Sequence, residues 1–141
     1  MKVDPENLDW AKGEGLIPTI VQDGTTGQVL MLAYMNQEAF ELTISSGKVT
    51  FWSRSRQQLW TKGETSGNHL IFEDIRVDCD SDTILVTARP LGPVCHRGTI
   101  TCFEDEVSFR GLAFLNSLED LIGQRKKDLP DGSYTASLFQ K

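Results

Sequence analysis

LIPTIVQDGTTGQVLMLAYM, residues 16–35, reads as two short apolar strands, 16–23 and 28–35, joined by the turn GTTG at 24–27. Apolar runs of this length broken by glycine and threonine predict a β-hairpin rather than a helix. On its N-terminal side, residues 1–14 read as a loosely held polar arm. The arm has no apolar run of the kind a secretory leader needs. On its C-terminal side, Asn36 is placed to cap a helix over 37–45, with Glu38 in the first turn and Gly47 just past the end. Phe40 and Ile44, four residues apart, predict the buried stripe of that helix.

KVTFWSRS (48–55) alternates Val49, Phe51 and Ser53 against Thr50, Trp52 and Arg54, a strand pattern. A polar loop is expected over 56–68, then strands over 69–80 and 83–90, then a Gly- and Pro-containing loop over 91–104. From about residue 107 to 127, Phe109, Leu112, Leu115, Leu118, Leu121 and Ile122 recur at helical spacing, with Arg125, Lys126 and Lys127 where the helix dipole favours cations. The fold class expected is mainly β: a two-sheet sandwich or pseudobarrel with one short helix and a C-terminal helix. The domain reading is a core at 1–106, a C-terminal helix at 107–127, and a new segment at 128–141 announced by DLPDG.

At 141 residues the chain is long enough to bury a core without disulfides or a structural metal. Its net charge of −6 makes it a poor binder of nucleic acid, which needs a basic surface. No stretch has the roughly 18 apolar residues that span a bilayer, so a cytoplasmic protein with reduced thiols is expected. Three cysteines are an odd number for a disulfide framework.

Cys95 and Cys102 bracket the polar loop CHRGTITC, and Cys79 lies between two aspartates in VDCDSD. Any one of them alone reads better as a small buried thiol. Together they suit zinc, whose catalytic sites use three protein ligands and keep a position for water. His96, next to Cys95, is the candidate base for that water, and is also available as the fourth ligand of a closed site. His69 opens a strand and reads as structural. Asp78, Asp80 and Asp82 alternate with Cys79 and Ser81, so a continuing strand would project three carboxylates from one face and Cys79 from the other. Such a cluster calls for a hard cation or basic groups, and magnesium is the expected ion. A polar strand end and turn is the plainer reading, since aspartate is common in turns.

Between Leu42 and Gly63 there is no acidic residue, while Lys48, Arg54, Arg56 and Lys62 fall there. With Gly63, Thr65, Ser66 and Gly67 in KGETSG, this segment suits an anionic, phosphorylated ligand better than a merely solvated face. Trp52 and Trp60 are candidates to stack on a base, or to pack in the core.

FWSRSRQQLWTKGETSGN (51–68), DCDSD (78–82) and GPVCHRGTITCF (92–103) together resemble the signature blocks of the phosphoribosyl-AMP cyclohydrolases, over roughly residues 8–103. The family pattern often has serine where this chain has Thr101. The resemblance implies a homodimer with active sites shared between subunits, zinc on Cys79, Cys95 and Cys102, and magnesium on Asp78, Asp80 and Asp82. It implies hydrolysis of the N1–C6 bond of the adenine ring of phosphoribosyl-AMP in histidine biosynthesis. His96 would then shuttle the proton, and Arg54, Arg56, Lys62 and the KGETSG loop would hold the phosphates. Residues 114–139 are similar to the opening of phosphoribosyl-ATP pyrophosphohydrolase, whose acidic helices would lie beyond Lys141. The chain is accordingly expected to lack that second activity. Rival readings are a non-enzymatic zinc module and a zinc hydrolase of simpler nucleosides, although the H-x-E…P-C-x-x-C signature of zinc deaminases is missing.

Overall fold

A computed structural model describes residues 3–103 and 112–140 of the chain. The predicted hairpin forms from β1 (Ile17–Asp23) and β2 (Val29–Met35), paired antiparallel. Ile17, Thr19 and Val21 face the core while the residues between them are half-exposed, the period of two expected of a sheet with one buried face. The Asp23 carboxylate closes the turn by accepting the amides of Thr25 and Thr26 at 2.8 and 3.2 Å.

Two later strands, β5 (Leu70–Val77) and β6 (Ile84–Pro90), pair antiparallel, and β6 runs parallel to β1. The resulting sheet has the order β2-β1-β6-β5. A second, two-stranded sheet joins β3 (Thr50–Ser53) to β4 (Gln58–Thr61). The mainly-β expectation therefore holds. β4 corrects the loop expected over 56–68: its two apolar residues, Leu59 and Trp60, sit among polar neighbours and carry no periodic signal. They become a strand by pairing with Phe51 and Trp52. Phe40, Phe51, Val49, Leu70, Ile84 and Val86 are fully buried at the centre of the core. Each contributes about 1.5–3 kcal/mol of hydrophobic stabilisation.

The helix α1 (Gln37–Ser46) is capped as the sequence predicts. Asn36 Oδ1 accepts the Ala39 amide at 2.8 Å, and Gly47 ends the helix in the left-handed region at φ 72°. The buried face is a correction: Ala39, Phe40 and Thr43 turn inward, whereas Ile44 is exposed. Thr43 decides the rotation. Its hydroxyl donates to Ala39 O at 2.8 Å and accepts the Thr50 amide at 2.9 Å, tying that face to β3. Replacing Asn36 with Ala strands one helix-end amide and should cost about 1 kcal/mol. Urea unfolding with an unchanged m-value checks this.

The N-terminal arm is not loose. Leu8 is buried, Trp10 Nε1 donates to Pro5 O at 2.8 Å, and the Trp10 and Phe40 rings meet edge to face with centroids 6.3 Å apart. Two apolar side chains are enough to anchor an otherwise polar segment, and polarity alone hid them.

The chain divides into two compact units, Met1–Val107 and Ser108–Lys141. In the second, α2 (Leu112–Asp128) covers most of the predicted helix, while residues 107–111, Phe109 among them, lie outside the described residues. Leu115, Leu118, Leu121 and Ile122 of its apolar stripe are exposed. A short α3 (Tyr134–Leu138), capped by the Ser133 hydroxyl, follows DLPDG. Among the described residues no helix is long and apolar enough to cross a membrane.

Candidate functional site

The register of β5 and β6 decides which loops meet. Leu70 lies opposite Pro90, so the segment entering β5 and the segment leaving β6 emerge side by side. The first is KGETSG and the second carries Cys95, His96 and Cys102. Together they line a cavity of about 270 Å³ that includes Trp60, Lys62, Gly63, Thr65, Ser66, Cys95 and His96. Gly67 closes the loop at its far end, with φ +78°. His69 pins the loop from below: its Nδ1 is 2.9 Å from Lys62 O, and its own carbonyl accepts the Leu91 amide at 3.0 Å.

The cysteine loop is docked at its other end by Thr101. That residue is buried, and its hydroxyl donates to Val29 O and Leu30 O of β2 at 2.8 and 3.1 Å. The Cys102 amide also donates to Leu30 O at 2.8 Å. These bonds bring the Cys102 and Cys95 sulfurs within hydrogen-bonding reach of each other. His96 is exposed beside them, its Nδ1 4.0 Å from Cys95 Sγ. The Arg97 backbone amide, and then the Thr99 hydroxyl, hold the Cys95 thiol below its usual range. Partial burial, and then the neighbouring Cys95 charge, push Cys102 up. The pair is a soft donor set that fits zinc but supplies two ligands where a site needs more.

Cys79 does not complete the set within one chain. It lies at the opposite end of the β5–β6 hairpin, where Val77 pairs with Ile84. The eight-residue β5 separates those ends by roughly 23 Å at about 3.3 Å per residue. There the structure corrects a second expectation: β5 stops at Val77, so Asp78–Asp82 form a turn and not a strand with alternating faces. Asp78 Oδ1 accepts the Asp82 and Thr83 amides, both at 3.0 Å, and Ser81 takes φ +63°. The turn gathers oxygens of Asp78, Asp80 and Asp82 to within 4.8 Å of one another, the one cluster of three potential ligand groups among the described residues. Hard, partly exposed carboxylate oxygens of this kind fit magnesium.

The turn also holds a residue that sequence reasoning missed. Lys12 Nζ donates to Asp80 Oδ2 at 3.0 Å and to Asp82 Oδ2. These two bonds raise the Lys12 pKa well above the usual lysine range, and the Lys12 contact lowers Asp82. The pairing joins residues about 70 apart in the chain, and nothing in the composition of either segment announces it.

Trp52, Arg54 and Arg56 lie around a second, more open cavity of about 730 Å³, which shares Trp60 with the first. The Arg54 guanidinium stacks 3.9 Å over the Tyr34 ring, and Lys62 Nζ stands 5.7 Å from the centre of the Trp60 ring. Two cationic rims therefore flank one indole.

A family model described as phosphoribosyl-AMP cyclohydrolase matches residues 31–104. Proteins named histidine biosynthesis bifunctional protein HisIE are also similar. The one from Photobacterium profundum is 50% identical over 138 residues, covering 95% of this chain and 67% of its own length. That from Escherichia coli strain K12 is 55% identical over 132 residues, covering 94% and 64%. That from Bacteroides thetaiotaomicron is 52% identical over 133 residues, covering 94% and 65%. The chain spans about two thirds of the length of these relatives.

Proposed function

The chain belongs to the phosphoribosyl-AMP cyclohydrolase family, and from that premise we propose that it hydrolyses the N1–C6 bond of the adenine ring of phosphoribosyl-AMP, opening the purine in histidine biosynthesis. The observation that carries the reading is the cavity in which Cys95, whose thiol interacts with that of Cys102, and His96 share walls with Lys62 and the KGETSG loop. A soft-metal centre and an anion cradle there face the same space.

Cys95 and Cys102 would hold zinc together with Cys79 of the partner subunit, in a homodimer with two shared sites. Bound zinc supplies Lewis acidity that makes water a competent nucleophile near neutral pH. His96 takes the proton of the attacking water and passes it to the ring nitrogen that leaves, a task matched to an imidazole. Lys62, Thr65, Ser66 and the amides around Gly63 and Gly67 bind one phosphate, and Arg54 and Arg56 bind the other. Trp52 and Trp60 stack on the base between them. Asp78, Asp80 and Asp82 would hold magnesium, which supplies charge neutralisation for the acidic turn. Reduced thiol ligands of this kind suit a reducing compartment, which supports reading the protein as cytoplasmic.

The test is ultraviolet detection of ring opening by the zinc-loaded protein with phosphoribosyl-AMP. Turnover should be lost on removing the metal with a strong chelator and should return on adding zinc. Ring opening that persists undiminished in the chelated protein, or no turnover with zinc bound, overturns the proposal.

A further inference from the structure

Lys12 reaches the acidic turn from a segment built to deliver it. The Asp9 amide donates to Ser81 O at 2.8 Å, which fastens the start of the Lys12 turn to the acidic turn itself. Asp9 Oδ1 in turn accepts the Lys12 amide at 3.1 Å. Gly13 follows because a Cβ there would meet Leu16 O at 1.9 Å, so the chain can fold back tightly only without a side chain. The ammonium arrives on Oδ2 of both Asp80 and Asp82. Asp78 Oδ1 accepts the Asp82 and Thr83 amides, so Lys12 meets the other two carboxylates of the cluster, Asp80 and Asp82.

We propose that Lys12 is the resident counter-ion of this turn and competes with a divalent cation for Asp80 and Asp82. The inference rests on the assignment of magnesium to the turn. A divalent cation of that size takes oxygens at about 2.0–2.1 Å in a near-octahedral shell. An ammonium hydrogen-bonded to the same carboxylates occupies part of that shell and repels the ion. Binding therefore displaces Lys12, and a cavity of about 200 Å³ lined by Lys12, Gly13, Leu16, Pro18, Asp82 and Thr83 lies beside it. In the absence of the ion, Lys12 neutralises the like charges and keeps the turn formed. Lys12 is a positioning residue and touches no reacting atom.

The test is a titration of the full chain with Mn²⁺, read by the electron paramagnetic resonance signal of the free ion, which needs no catalytic turnover. Lys12→Met removes the competitor and one positive charge, and should bind Mn²⁺ at least about fivefold more tightly, the effect of one unit charge at 4 Å in water. Lys12→Arg keeps the charge and should stay near the parent. Far-ultraviolet dichroism confirms that both variants fold. Unchanged or weaker binding in Lys12→Met overturns the competition alone. An absence of Mn²⁺ binding in parent and variant alike overturns the competition and the magnesium assignment together. It leaves the thiol centre standing, because ring opening is assayed separately.

Discussion

Mixing Cys79→Ser with Cys102→Ser should restore ring opening that neither variant shows alone. Each variant by itself should fall by more than about a hundredfold, because loss of an outer-shell partner already costs 10–100-fold and these are proposed ligands. The register of β5 and β6 puts Cys79 at one end of a hairpin and the loop of Cys95 and Cys102 past the other, the two ends being roughly 23 Å apart at about 3.3 Å per residue. A site that needs all three sulfurs must then draw on two chains. In a twofold dimer of the mixed kind, one site collects both defects and the other collects none. Random reassortment makes half of the dimers mixed, so roughly a quarter of parental activity should return. Zinc analysis of the mixture should rise in parallel. If the mixture stays as inactive as its parts after unfolding and refolding together, the shared site is wrong, whatever the single variants do.

That separation marks the limit of what the sequence can disclose. The hairpin over 16–35 was legible because two short apolar runs are divided by a glycine-containing turn. Asn36 and Gly47 bracket α1 for equally local reasons. The candidate ligands were legible as residue types: thiols, carboxylates, and a basic run beside KGETSG. Their placement depends on long-range register. Leu70 opposite Pro90 brings KGETSG to the cysteine loop, and Val77 opposite Ile84 carries the aspartates away from it. Local patterns do not encode those pairings. The turn at Asp78–Asp82 misled for a related reason. Strict alternation resembles a strand until the Asp78 carboxylate captures two amides ahead of it. Lys12 escaped because its partners are about 70 residues away.

Gly63→Ala should separate the fold of the phosphate loop from its chemistry. At φ +83° an added Cβ is strained, and it would also stand 2.4 Å from the Asn68 carbonyl carbon and the His69 amide nitrogen. Both obstacles are backbone, so no rotamer change relieves the contact. The left-handed conformation costs an L-residue about 1–2 kcal/mol, and overpacking of this severity costs about 1–3 kcal/mol more. A loss of roughly 2–5 kcal/mol is therefore expected in denaturant unfolding. Part of it will be relieved by moving the loop, and the bond from His69 to Lys62 O will go with it. Lys62 then leaves the wall it shares with Cys95, so KM should rise in whatever fraction stays folded. Gly67→Ala is the internal control. Gly67 has a similar φ, +78°, but open space where its Cβ would go, so only the conformational cost of about 1–2 kcal/mol applies. Equal losses in the two variants would mean that close backbone approach at Asn68 does not hold this loop in place.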